Sequence, residues 1–193
     1  MKAFVFAAGL GTRLKPITDT LPKALVPVSG KPLLEHVLRK LRASGIDEAV
    51  VNVHHFADKI EDWTDSQDWL CRERKGLAEG KMLVQISDER LMLLETGGAV
   101  LNARPYLEGC GSFLIHNVDI LSDCDLQWFM SQVRPDALAT LLVSRRKSSR
   151  YLLFDPDTMR LEGWVNEKTG EIAVYDLRSG NTVYSNPPAA DSD

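Results

Sequence analysis

Phe4-Val5-Phe6-Ala7-Ala8-Gly9-Leu10-Gly11-Thr12-Arg13-Leu14, with Pro22-Lys23 shortly after it, sets the frame for the whole chain. A short, continuous apolar run bounded by glycine predicts a buried parallel strand over Lys2–Ala8. The turn that follows lacks side chains at Gly9 and Gly11, so main-chain N–H groups from Ala8 to Thr12 can close on a triphosphate. Arg13 and Lys23 then supply fixed cations for a transferring phosphoryl group. Two commoner phosphate loops do not fit. A Walker A loop requires Lys-Ser/Thr after its second glycine. A dinucleotide fingerprint requires a third glycine, where Leu14 stands, and an acidic end to the second strand, where His54 and His55 stand. A bare Gly-x-Gly also serves as a tight structural turn, so the loop needs support from the rest of the chain.

Outward from this loop, Pro32 opens a helix with Leu33, Leu34, Val37, Leu38 and Leu41 at helical spacing, and Gly45 stops it. Ala49–Val53 is the second strand, Met82–Ile86 the third and Phe113–Asn117 the fourth, with helices predicted over 57–63, 67–74 and 97–103. Strands alternating with helices predict a Rossmann-like, doubly wound, mostly parallel α/β sheet. Asp119 follows the carboxyl end of its strand, which places it on the same rim as the glycine loop. Later the pattern changes. Ala137–Val143, Tyr151–Asp155, Gly163-Trp164 and Ile172–Val174 read as strands without intervening helices, a small antiparallel extension turning at Asp155-Pro156-Asp157 and Lys168-Thr169-Gly170. The expected organisation is one domain over 1–180, with a nucleotide-binding core over 1–135, a β extension over 136–180 and a disordered tail over 181–193.

Composition narrows the function. At 44% hydrophobic and 26% charged residues, the chain is neither disordered nor a disulfide framework. A net charge of −4 advertises no basic face for nucleic acid or for an anionic membrane. Cys71, Cys110 and Cys124 form no Cys-x-x-Cys pair and read as reduced thiols. The apolar start is too short for a signal peptide or a membrane span, so a cytoplasmic protein is expected.

The longer pattern resembles a known family. Gly9-Leu10-Gly11-Thr12-Arg13-Leu14-x-Pro16-x-Thr18, then Pro22-Lys23-Ala24-Leu25-Val26-Pro27-Val28-x-Gly30-Lys31-Pro32-Leu33, resembles the signature of the sugar-phosphate nucleotidyltransferases. The resemblance continues through Asn52-Val53-His54, Leu94–Ala99, Asn117-Val118-Asp119, Ser149–Asp155 and Gly163–Gly170. It lies nearest to small bacterial members of the N-acetylmuramate-1-phosphate uridylyltransferase and mannose-1-phosphate guanylyltransferase types. It implies transfer of a nucleoside monophosphate from an NTP, UTP foremost, to a sugar 1-phosphate, with Mg²⁺ and release of pyrophosphate. Three alternatives of mechanism and class stay open beside it: a tight turn without ligand, a non-catalytic nucleotide-binding domain on the same fold, and a cytidylyltransferase for a phosphorylated alcohol such as phosphocholine.

The resemblance assigns roles to particular residues. Arg13, Lys23 and Asp119 are the expected catalytic group, with Asp119 as the metal ligand; strand-end aspartates also serve as caps. Ala8, Gly9, Gly11, Thr12, Gly97 and Gly98 are expected around the nucleotide, with Thr96 as a helix N-cap. Asn117, Glu167 and Lys168 are expected on the sugar side, the last two being equally readable as a charged hairpin. His54 is expected to brace the loop after its strand, and Asp123 and Asp125 to serve a loop and a helix cap. The family also carries a second metal aspartate on a later strand, and no segment resembling that strand follows here. The expectation is therefore a C-terminally truncated member, with an exposed sheet face and self-association as its corollary.

Overall fold

The apolar opening run forms β1 (Lys2–Phe6), and it lies inside the sheet, not at its edge. A computed structural model describes residues 1–76, 78–176 and 181–185 of the chain. The glycine loop after β1 leads to a short antiparallel pair, β2 (Pro27–Val28) with β3 (Lys31–Pro32). Then come α1 (Leu33–Ala43), β4 (Glu48–Val53), α2 (Ala57–Asp65), β5 (Leu70–Cys71) and β6 (Met82–Asp88). The helices α3 (Glu95–Asn102) and α4 (Arg104–Leu107), the strand β7 (Phe113–Asn117) and the helix α5 (Leu126–Ser131) follow. The sheet order is β5-β6-β4-β1-β7, and every pairing in it is parallel.

Side-chain alternation along β1 explains why both faces of this sheet are covered. Ala3 and Val5 point into a layer with Leu34, Val37, Leu38 and Leu41 of α1 and Ile60 of α2. Phe4, between them, points the other way, into a cluster with Val50, Ala99, Ala103 and Leu107. A period of two on a strand buried on both faces yields this two-sided core. The predicted doubly wound sheet is thus present, with α1 begun by Pro32 and ended ahead of Gly45 at φ +83°.

Two elements differ from the sequence expectation. The helix predicted over 67–74 is instead the edge strand β5 and a 3₁₀ turn at Arg74–Gly76. Leu70 is buried and registers with Met82, so pairing with the long β6 outweighs a weak helical pattern. The strand predicted over Ala137–Val143 does not form. Its apolar side chains meet no ladder partner among the described residues: Leu138 is fully exposed, and Leu141, Leu142 and Val143 are about half exposed. A strand without a neighbour gains no hydrogen bonds to offset its ordering cost.

The chain divides into two compact units, Met1–Thr140 and Leu141–Asp193. The second is an antiparallel sheet of β8 (Arg150–Phe154), β9 (Leu161–Asn166), β10 (Glu171–Asp176) and β11 (Asn181–Ser185), in the order β11-β10-β9-β8. It realises the predicted antiparallel extension. Asn181–Ser185, assigned to the tail from sequence, pairs with β10; the remaining tail positions, 186–193, lie outside the described residues. Gly163 is demanded by cross-strand proximity, since a Cβ there would sit 2.2 Å from the Ala173 carbonyl oxygen.

Leu38 on α1 is fully buried, whereas Leu101 on α3 is largely exposed. Leu38→Ala is expected to lower unfolding free energy by about 2–5 kcal/mol, and Leu101→Ala by no more than about 0.5 kcal/mol. Urea denaturation of the two variants checks this, and equal losses would contradict the assigned core.

Candidate active site

β1 and β7 end side by side. Phe6 registers with Asn117, and the Val118 N–H donates to the Phe6 carbonyl at 3.1 Å. From β1 the chain crosses through α1 to β4 on one side; from β6 it returns through α3 and α4 to β7 on the other. The strand order therefore reverses between β1 and β7. In open α/β sheets, ligands bind outside the carboxyl ends of the strands at that reversal.

The first loop leaves β1 at this place and folds back on itself. Gly11 adopts φ +64°, and its carbonyl accepts from the Leu14 N–H at 2.8 Å and the Thr18 hydroxyl at 2.9 Å. A Cβ at Gly11 would meet Thr18 Cγ2 at 2.9 Å and Lys23 Cβ at 3.0 Å. Glycine is thus needed twice over, for its conformation and for the close approach of Lys23. Lys23 begins a 3₁₀ turn, Lys23–Leu25, whose Ala24 and Leu25 are buried. That anchorage aims the lysine across the crevice. Its Nζ donates to Asp119 Oδ2 at 2.5 Å, with the Lys23 side chain 17% exposed and that of Asp119 38%.

The remaining predicted residues differ in exposure and in what they border. Ala8 is buried, Thr12 and Arg13 are exposed, and among the described residues Arg13 makes no ion pair. A Cβ at Gly9 or at Gly97 would meet nothing within 4 Å, so both glycines border open space. At Gly98 the Leu94 Cβ would be 3.1 Å away. Thr96 is not the N-cap that sequence predicts: α3 starts at Glu95, with Leu94 as its cap residue. Glu95 itself has φ +57°, a costly conformation for a residue with a Cβ, and it turns the chain into Thr96-Gly97-Gly98. Asn117 is exposed at the end of β7. Asp125 caps α5, accepting from the Gln127 and Trp128 N–H groups, as expected.

His54 and His116 are held by main chain. His54 Nδ1–H donates to the Glu89 carbonyl at 2.6 Å, and His116 Nδ1–H donates to the Asn117 carbonyl at 2.7 Å. Burial pushes the His116 imidazole below its ordinary pKa; the Asn117 carbonyl opposes this, Lys40 adds to it and Asp119 opposes it. Glu167 and Lys168 belong to the second unit, in the β9–β10 hairpin. There the Glu167 N–H donates to the Ser149 carbonyl at 2.9 Å and the Lys168 N–H to Asn166 Oδ1 at 3.2 Å.

Sequence patterns do not single out Glu89. It stands in Asp88-Glu89-Arg90, which reads as solvated charge, yet it is 3% exposed. The available signal is its position directly after a strand that ends on the same rim as β1 and β7.

Residues 2–157 match the nucleotidyl transferase family. The chain belongs to that family. It is 48% identical over 117 residues to the N-acetylmuramate alpha-1-phosphate uridylyltransferase of Caulobacter vibrioides, covering 61% of this chain and 45% of that protein. It is 39% identical over 125 residues to the enzyme of the same name from Neisseria meningitidis serogroup B, covering 65% and 49%. The chain thus spans about half the length of these curated relatives. Among solved structures, HddC from Yersinia pseudotuberculosis complexed with GMP-PN superposes with a TM-score of 0.62 at 24% identity, over 96% of this chain and 73% of that one. That likeness shows the shared fold.

The family raises the question of a metal. Among the described residues no three His, Cys, Asp or Glu side chains converge into a cage. Asp119 offers one carboxylate, and this donor set fits Mg²⁺ when phosphate oxygens complete the coordination, the usual arrangement for that ion.

The two loop glycines separate fold from ligand. Gly11→Ala is expected to cost about 1–2 kcal/mol through its positive φ alone, while Gly9→Ala stays within about 0.5 kcal/mol of wild type. Chemical denaturation distinguishes them, and equal stability of both variants would contradict the loop geometry.

Proposed function

We propose that this chain transfers a nucleoside monophosphate from an NTP to a sugar 1-phosphate, giving an NDP-sugar and pyrophosphate, with UTP as the preferred donor. The observation that carries this reading is the Lys23–Asp119 contact, held against Gly11 at the strand-order reversal of a nucleotidyl transferase family chain. The uridylyltransferase names of the relatives support the choice of UTP.

In this reading the sugar-phosphate oxygen attacks the α-phosphorus in line. A new P–O bond forms as the bond to the bridging oxygen of the β-phosphate breaks, and pyrophosphate leaves with the electron pair. The attacking phosphate is anionic at neutral pH, so the chemistry depends on alignment and charge neutralisation and needs no general base. Main-chain N–H groups from Ala8 to Thr12 cradle the triphosphate. Arg13 takes the β- and γ-phosphates, and Lys23 swings from Asp119 to the α-phosphate or the incoming sugar phosphate. Gly97 and Gly98 leave room for the nucleoside, and Asn117 serves the sugar side; for Glu167 and Lys168, in the second unit, a sugar-binding role is what the family resemblance implies. Asp119 would hold Mg²⁺, which when bound supplies positive charge among the phosphate oxygens.

The free thiols of Cys71, Cys110 and Cys124 suit the reducing cytoplasm expected from sequence. Self-association is supported by the exposed apolar run of Leu138, Leu141, Leu142 and Val143, and light scattering that finds only monomer would count against it.

Pyrophosphate release with Mg²⁺, each common NTP and a panel of sugar 1-phosphates tests the main reading. UTP and one sugar 1-phosphate should support release, and Asp119→Asn and Lys23→Met should each reduce it at least about 10²-fold. Release with phosphocholine and CTP would move the chain to the alcohol-phosphate cytidylyltransferases. Triphosphate binding with no release for any acceptor would make it a nucleotide-binding domain.

A further inference from the structure

We infer that Glu89 is a positioning residue that, through Asn52, holds the first glycine loop and the Leu94–Gly98 turn in a single mutual arrangement. The inference rests on the nucleotide-binding reading above and adds to it a residue that touches neither phosphate nor metal.

The connection is built from complete hydrogen bonding in a dry place. Asn52 lies in β4, registered with Phe6, and is 2% exposed. Its Oδ1 accepts from the Ala7 N–H at 2.7 Å and from the Ala8 N–H at 3.3 Å, the two amides that lead into the first loop. Two N–H donors on one atom fix that atom as the amide oxygen, so Nδ2 must find an acceptor on its other side. It donates to Glu89 Oε1 at 2.8 Å. Glu89 Oε2 accepts from the Leu94 N–H at 3.2 Å, at the start of the second glycine turn. The Glu89 main chain is itself pinned: its N–H donates to the Val53 carbonyl at 2.8 Å, and its carbonyl accepts from His54 Nδ1–H and from the Met92 N–H.

A group with two acceptor oxygens and no donor is what this position requires. One oxygen meets Asn52, whose own amide oxygen holds the Ala7 and Ala8 N–H groups, and the other meets the Leu94 N–H, so neither loop can shift without leaving a buried polar atom unpaired. A ligand spanning both loops then meets them already arranged, which removes an ordering cost from binding. The aspartate at the end of β7 works at the phosphates; the glutamate at the end of β6 works on the walls of the cradle.

The donor–acceptor order gives the test its specificity. Glu89→Gln places an NH₂ against either Asn52 Nδ2 or the Leu94 N–H. Asn52→Asp places a second oxygen against the Glu89 carboxylate. Combined, the substitutions restore every bond: the carboxylate at 52 keeps the Ala7 and Ala8 amides and accepts from the amide at 89, whose oxygen takes the Leu94 N–H. The full-length chain and its three variants are compared by NMR amide exchange at Ala7, Ala8 and Leu94 and by calorimetric UTP titration, at a temperature where circular dichroism shows all four folded. Each single variant should expose those amides and weaken UTP at least about tenfold, and the double variant should return to within about threefold of wild type. Single variants that bind UTP like wild type, or a double variant no better than the singles, would overturn the inference. Failure of the wild type to bind any NTP would overturn the nucleotide reading instead, while exchange at the same amides still judges the network.

Discussion

Parallel pairing of β1 with a strand on each side is the constraint from which the rest of the molecule follows. With β4 on one edge and β7 on the other, β1 is committed to the middle of the sheet and must be apolar on both faces. The same arrangement makes the chain leave β1 in one direction and come back to β7 from the other. A crevice between their ends is the geometric result. Whatever follows the two strands in sequence is delivered into it, so Gly9 and Gly11 arrive from one side and Asp119 from the other.

This explains how much of the molecule can be read from residues alone. The continuous run at Lys2–Phe6, the helical spacing from Leu33 to Leu41 and the apolar strand before Asp119 are local patterns, and each specifies its element and roughly its place in the sheet. The glycine loop is legible because Gly11 departs from ordinary backbone conformation, and few residues can take its place. The failures arise where a distant partner decides. Leu70 joins the sheet because Met82 is beside it, which no local spacing announces. Ala137–Val143 has a strand's composition but lacks a neighbour among the described residues. Thr96 looks like a cap, yet α3 has already begun at Glu95, with Leu94 as its cap residue.

Glu89 and Asp119 illustrate the same limit from the side of function. Both are acidic residues just past parallel strands. One is buried and fully engaged by amides; the other is partly exposed and engaged by an ammonium group. Composition cannot separate them, because the difference lies in what the neighbouring strand presents. Asn52 at the rim of β4 makes the former an anchor, and Lys23, pressed against Gly11, makes the latter an electrostatic partner.

The Lys23–Asp119 contact has a kinetic meaning. The crevice carries its own tethered counterion, so a bare cation reaching Asp119 must compete with an ammonium group that cannot diffuse away. A polyphosphate faces the opposite situation, since it offers Lys23 a new anionic partner and in the same motion uncovers the aspartate. In the proposed nucleotidyl transfer, arrival of the nucleotide and release of the carboxylate would then be one event, which would favour entry of donor and cation together over entry of the cation first.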